Sequence, residues 1–447
     1  MRLKALFSLL IVGIAGTALA QATPATSTVT VIEEKKVETV VVEPVRLAEA
    51  PKPPPFVFEL HGFVSGTLWM QDKVYSLGPG QNALFITGCG ANSATCVNGA
   101  FPTDKMVFGG DVRQTRLNFS VAGPEVFGGA KPKAVVEVDF FGADFVTVAG
   151  VPTLITGGFG DVSVMPRMRI AYAELKWGGT TLQIGQQNML TIGLIPASLS
   201  HIAFPYTYTA GTVGWRQPGI WAYHMLGNSF ELAWSVARAG WNATQVLPAN
   251  PPGFTAGVAS GLPALELRGK ILFSKDFDLW LSGHWQSVDR NGAGAAVNKA
   301  QWSSIDTILG TAGLRANMGF LVLQGSAWYG KNAYPLLGNV LQQPGNAYRG
   351  DIFGWGAWGQ LGLNLSKAIS LWYTIGVDHP EYSDIIANFN AGGGSTRLRN
   401  LNQVGMLRFQ SGGYAFGAEY LYTRTTDLRY LDPLTGSQLS FTANYSF

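Results

Sequence analysis

Ten residues constrain this chain more than any others. In Gln438-Leu439-Ser440-Phe441-Thr442-Ala443-Asn444-Tyr445-Ser446-Phe447 every second side chain is apolar or aromatic and every intervening one is small and polar. A period of two belongs to a β-strand, whose successive side chains point to opposite faces. One face here is greasy up to the last residue, Phe447, and the other is uncharged and polar throughout. Such a strand suits lipid on one side and water on the other.

The opposite end is consistent with export. Arg2 and Lys4 precede an apolar run from Ala5 to Ala18, and Ala18-Leu19-Ala20 offers a small-x-small cleavage site before Gln21. Residues 1–20 are thus expected to be a signal peptide. The run is too short for a membrane helix, which needs about 20 apolar residues, and no later run is longer. Charged residues make up 13% of the chain, against about 25% in typical soluble domains. With 13 Trp, 15 Tyr, 25 Phe and 56 Gly, the composition suits the other structure that can satisfy every backbone group in lipid, a closed β-barrel. The formal charge of +3 falls to +1 once Arg2 and Lys4 leave with the leader, so nucleic acid is not an expected partner. Cys89 and Cys96, the two cysteines, lie in a Gly/Asn/Ser/Thr stretch and read as a local disulfide in an exported chain. No metal site or cofactor is expected.

Residues 21–55 differ from the rest: Val-rich, mixed in charge, and ending in Pro51-Lys52-Pro53-Pro54-Pro55. Proline cannot join a ladder, and the run makes a stiff spacer. The segment reads as a periplasmic extension. Glu38-Thr39-Val40-Val41-Val42 resembles the energy-coupling box of TonB-dependent receptors, but those carry a plug domain far longer than the room left before the first strand. From Phe56 onward, alternating segments near 57–69, 112–121, 133–141, 167–177, 180–187, 219–226, 229–238, 264–273, 277–287, 308–317, 319–330, 352–365, 369–379, 402–410, 413–424 and 438–447 predict sixteen strands. Tight turns such as Gly178-Gly179, Gly227-Asn228 and Ser411-Gly412 alternate with long Gly/Pro/Asn/Ser-rich loops. The fold class is all-β, a transmembrane antiparallel barrel over 56–447, with short periplasmic turns and long extracellular loops.

Sixteen strands, an export signal and a terminal Phe resemble the trimeric outer-membrane porins of Gram-negative bacteria. Within them, Asp111-Val112-Arg113-Gln114-Thr115-Arg116-Leu117-Asn118-Phe119 and Ile184-Gly185-Gln186-Gln187-Asn188, which runs into a long third loop, resemble the corresponding segments of DcaP-like porins. The family carries a coiled coil before the barrel, whereas residues 21–55 show no heptads. The resemblance implies a homotrimer in the cell outer membrane, reached by Sec-type export. It also implies contact with lipid and lipopolysaccharide, and a last strand read by the barrel-assembly machinery.

Strand parity sorts lipid-facing from lumen-facing positions. In the third strand Ala134, Val136, Val138 and Phe140 face lipid, which turns Glu137 and Asp139 inward. In the fourth, Met168, Ile170 and Tyr172 are expected in lipid, with Arg167 and Arg169 in the lumen. Arg116, Arg268, Lys270, Arg315 and Arg408 point inward from other even-numbered strands, although Val404 and Met406 share the face of Arg408. The inward acids, among them Glu231, Asp278, Asp378 and Glu419, sit on odd-numbered strands. Either these charges neutralise one another on a wetted wall, or the arginines form a ladder guiding anions, a role suited to the permanently charged, bidentate guanidinium.

The third long loop, residues 189–218, sharpens that choice. By resemblance it folds into the barrel as the constriction, and it holds no Asp or Glu. His201, Tyr206, Tyr208 and Arg216 are its candidate pore-facing residues. A basic wall against an apolar, aromatic loop suits an anion with a carbon skeleton. The five histidines, His61, His201, His224, His284 and His379, are scattered, with His61, His224 and His284 on lumen parity, and no catalytic constellation accompanies them. The expected function is passive diffusion of small hydrophilic solutes, preferentially anions such as carboxylates. The alternatives are a closed-lumen structural or ligand-binding barrel and an energised receptor.

Overall fold

The computed structural model describes residues 56–447 except 74, 77–79, 81–83, 87, 89–105, 143, 149–150, 156–164, 241–255, 290–303, 346–347, 349 and 395. The expected leader, the extension over 21–55 and the Cys89–Cys96 pair lie outside the described residues.

Sixteen antiparallel strands close into one barrel. They are β1 (Val57–Gln71), β2 (Val107–Asp111 continuing as Arg116–Ala122), β3 (Lys131–Gly142), β4 (Met165–Trp177), β5 (Thr180–Asn188) and β6 (Arg216–Leu226). There follow β7 (Phe230–Arg238), β8 (Pro263–Ser274), β9 (Phe277–Asp289), β10 (Ser304–Asn317) and β11 (Leu321–Lys331). The ring is completed by β12 (Phe353–Asn364), β13 (Ile369–Pro380), β14 (Arg397–Ser411), β15 (Tyr414–Asp427) and β16 (Leu434–Ser446). Each strand pairs with its sequence neighbours, and β1 pairs with β16 from Phe63↔Ser446 to Gln71↔Gln438. Phe447 completes the seam through two reciprocal backbone bonds with Gly62, each 3.1 Å. Closure removes the unpaired edges that lipid would not tolerate.

The parity that defined the last strand holds. On β16 the polar Gln438, Ser440, Thr442 and Asn444 are buried, while Phe441, Tyr445 and Phe447 are 49%, 43% and 45% exposed on the outer face. Trp177 sits at the short-turn end, its indole N–H donating to the Phe127 carbonyl at 3.1 Å.

Three local details depart from simple alternation. β2 starts at Val107 and breaks at 112–115, where Thr115 N–H turns back to the Val112 carbonyl. The break frees Gln114 to reach into the lumen. In β4 the register slips by one at Arg169, since Glu137 lies opposite Ile170 but Val138 lies opposite Met168. An extra residue in one strand places two successive side chains on one face. Ile170 and Tyr172 are therefore in the lumen opposite Glu137 and Val135, which corrects their expected lipid placement. The strands beside the last long connection are also longer than alternation suggested, leaving only residues 428–433 between β15 and β16. His224, expected inward, lies on the outer face, bonded to Thr180 and to the exposed Trp234.

Candidate functional site

Loop L3, residues 189–215, leaves β5 and crosses the lumen before entering β6. Lumen-facing side chains on walls nearly opposite in the ring hold its backbone. On β8, Glu266 accepts the N–H of Leu190 at 2.7 Å and of Thr191 at 3.3 Å. On β15, Glu419 accepts the N–H groups of Leu199 and Ser200 and the Ser198 hydroxyl, the latter two both at 2.8 Å. Gln360 on β12 bonds both polar groups of Ala197, each at 2.8 Å. Gln114, from the break in β2, donates to the Ser200 carbonyl at 2.6 Å and accepts from the N–H groups of Ile202 and Ala203. A carboxylate accepting backbone N–H groups forms charge-assisted bonds, stronger than neutral ones. Glu266 and Glu419 thus serve as loop anchors instead of neutralising the wall.

Apolar packing reinforces these bonds. Tyr206 of L3 packs with Tyr75 and Ile86 of the first long loop and with Val404, Leu421 and Leu434 of β14–β16. Leu199 packs on Met406 and Ala415. Tyr208 and Trp215 form a second cluster with Leu84 and Phe85 of the first loop and Leu337 and Val340 of the loop over 332–352. The apolar residues that share the inward face of Arg408 are where L3 seats. His201 is buried beside Ser200, whose hydroxyl is 2.8 Å from its Nδ1, and stacks edge-on to Tyr206. Burial holds the His201 imidazole down at about 4 and pushes the Tyr206 and Tyr208 phenols up.

The other face of L3 borders a cavity of about 370 Å³ against the wall from β2 to β8. Among the described residues, Arg116, Arg169, Arg216 and Arg268 line it, with Glu137 the one carboxylate, opposite Ile192, Leu194, Ile195 and Ile202 of the loop. Arg169 bonds Glu137 and Asp139, each at 2.7 Å. Arg167 grips Asp139 with two bonds, 2.9 and 2.6 Å, and lies over the rings of Phe204 and Trp215. Arg116 stands 3.6 Å from Glu137, and its Nε and Nη2 atoms are buried without a hydrogen-bond partner. Arg216 has the outward parity of Ile220, yet it is only 6% exposed and lines the cavity. It is the first residue of β6, where the chain leaves the sheet, and its guanidinium stacks 4.0 Å over Trp215. Among the described residues no carboxylate lies within ion-pair reach of it.

Further along the wall, Arg268 pairs with Glu231 at 2.9 Å, while Lys270 and Arg315 share Asp278 at 3.3 and 2.7 Å. Among the described residues of this stretch, seven basic groups, Arg116, Arg167, Arg169, Arg216, Arg268, Lys270 and Arg315, stand with the carboxylates Glu137, Asp139, Glu231 and Asp278, and with Glu266, which is engaged by L3 and His284. Arg408 stands apart, donating to Gln410 at 2.6 Å. Of the expected loop residues, Tyr208 and Arg216 border the cavity, whereas His201 and Tyr206 face the anchored side. Alternation placed Glu266 in the lumen with Arg268 and Lys270, but did not reveal its role as an anchor, nor Gln114 or the inward Ile170. The signal for Gln114 was its place in a segment whose alternation fails, Val112-Arg113-Gln114-Thr115.

No family model matches the chain, and no curated protein does. Solved structures do. The outer membrane channel DcaP of Acinetobacter baumannii is 14% identical, covering 88% of this chain and 97% of that one, with a TM-score of 0.63. An anion-selective porin from Comamonas acidovorans is 11% identical over 88% of this chain and all of that one, TM-score 0.55. OmpT, an outer membrane protein of Vibrio cholerae described as a trimer form, is 9% identical over 88% of this chain and all of that one, with a TM-score of 0.51. The fold is that of the outer-membrane porins. DcaP is among the structures that share this fold, in line with the resemblance of the segments around Arg116 and Ile184.

Proposed function

We propose that this chain is a passive diffusion channel of the Gram-negative outer membrane that prefers anions. The observation that carries the reading is the make-up of the cavity beside L3, which we take as the constriction: among the described residues four arginines and one carboxylate line one side, and the loop opposite has no acid. Rings and ladders of arginine favour anions in pores, and charges at the narrowest point dominate because wider water screens them within about 8–10 Å. Small carboxylates fit the pairing, since the guanidinium fork matches a carboxylate. On this reading the chain is exported by the Sec route, inserted by the barrel-assembly machinery, bathed in lipid and lipopolysaccharide, and assembled as a homotrimer.

Three loops packing together inside the lumen favour a second reading, a barrel whose path is closed. Purified protein in a planar bilayer separates the two. The channel reading expects stepwise conductance and, in a KCl gradient, a zero-current potential of the sign set by chloride. Absence of conductance supports the closed barrel, and a potential set by potassium overturns the anion preference.

A further inference from the structure

The constriction cavity is basic on one part of its lining and apolar on another. The register slip at Arg169 carries Ile170 from the lipid face into the pore, next to Arg169 itself. Ile192, Leu194, Ile195 and Ile202 of L3 meet it across the same cavity. A water-filled pore has no need of an aliphatic side chain at this depth, and Ile170 reaches it only through a local distortion of the strand. Beside it, Arg216 is more than nine-tenths buried with no carboxylate in reach among the described residues; Arg116 stands 3.6 Å from Glu137 but has two buried guanidinium nitrogens that make no hydrogen bond. An enclosed charge without a counter-ion is costly, and an entering anion removes that cost. A cavity of about 370 Å³ falls at the small end of the range for ligand sites.

We infer that the constriction is a binding site for amphipathic monoanions: one carboxylate seated on Arg116 and Arg216, and an apolar body laid against Ile170 and the L3 isoleucines. The inference rests on the anion-channel reading and adds selection among anions by their apolar part. Apolar surface leaving water is favourable in proportion to its area, so affinity rises with chain length at constant charge. A second carboxylate on the solute falls among the isoleucines and loses its hydration.

The test is block of the chloride current through the purified full chain in planar bilayers, with sodium acetate, hexanoate and succinate as probes. Hexanoate is expected to half-block at a concentration at least tenfold below that of acetate, a difference of about 1.4 kcal/mol, with succinate weaker than hexanoate. Ile170→Asn should cut the hexanoate-to-acetate ratio to threefold or less while the zero-current potential stays anionic. Ile195→Asn, at a position 41% exposed, gives the same readout should the strand variant not assemble. Equal block by acetate and hexanoate, or strongest block by succinate, with an anionic zero-current potential overturns the amphipathic site and leaves the anion channel standing. A cationic or unselective zero-current potential overturns both.

Discussion

Replacing Glu419 with Ala should release the middle of L3 without unfolding the barrel. The carboxylate is 3% exposed and accepts three donors, the N–H groups of Leu199 and Ser200 and the Ser198 hydroxyl. A hydrogen bond to a charged group contributes about 1.5–3 kcal/mol, but water entering the vacated space satisfies part of what is lost. We expect the variant to lose about 3–4 kcal/mol of local docking energy, so opening of residues 198–203 becomes about 10²–10³ times more frequent. Hydrogen–deuterium exchange read by mass spectrometry should show that acceleration in peptides covering 198–203. Leu190 and Thr191, which are held independently by Glu266, should keep their protection. Glu419→Gln retains one acceptor oxygen and should fall between. Protection of 198–203 within about threefold of wild type would refute the anchor.

Three further outcomes follow from the same geometry. The His201 imidazole is held at about 4 against an ordinary 6.5, so the undocked loop binds more protons between those values. Docking is then complete above pH 6.5 and weakens as pH falls toward 4, by at most about 3 kcal/mol; exchange of 198–203 at pH 4.5 and 7, corrected for intrinsic rates, checks this. Asp139→Asn removes the carboxylate that Arg167 grips and Arg169 shares, which should strengthen anion preference. It should also cost about 3–5 kcal/mol through unpaired buried charge, seen as a lower temperature for the folded-to-unfolded band shift on gels. Gly193 has φ +55° and its missing Cβ would overlap the Trp280 ring; Gly193→Val should misplace the start of L3 and change single-channel conductance, while conductance equal to wild type would show that the contact is easily relieved.

Most of the barrel was legible because lipid and water enforce a period of two on every strand. Gln438 to Phe447 shows that rule in its plainest form, and the inward charges on β2, β4, β8 and β10 followed from it. The rule fails where one residue is inserted or a strand is interrupted. Nothing in Arg167-Met168-Arg169-Ile170 announces that Arg169 is the extra residue, so Ile170 and Tyr172 were assigned to lipid. The inward Glu266 and Glu419 were legible as lumen residues but not as anchors, since their partners are backbone N–H groups that are distant in sequence. Val404 and Met406 on an inward face were the clue that something apolar packs inside the lumen, and L3 supplies it.

The central claim is that the guanidinium groups beside L3 set the sign of selectivity. It is tested most directly by the zero-current potential in a KCl gradient for wild type and for the Arg116→Ala, Arg169→Ala, Arg216→Ala triple variant. These three line the cavity together, whereas Arg167 is not part of its lining. The account predicts an anionic potential for wild type and one shifted to zero or beyond for the variant, with stepwise conductance preserved. A wild-type potential set by potassium, or the same potential in both proteins, would contradict it.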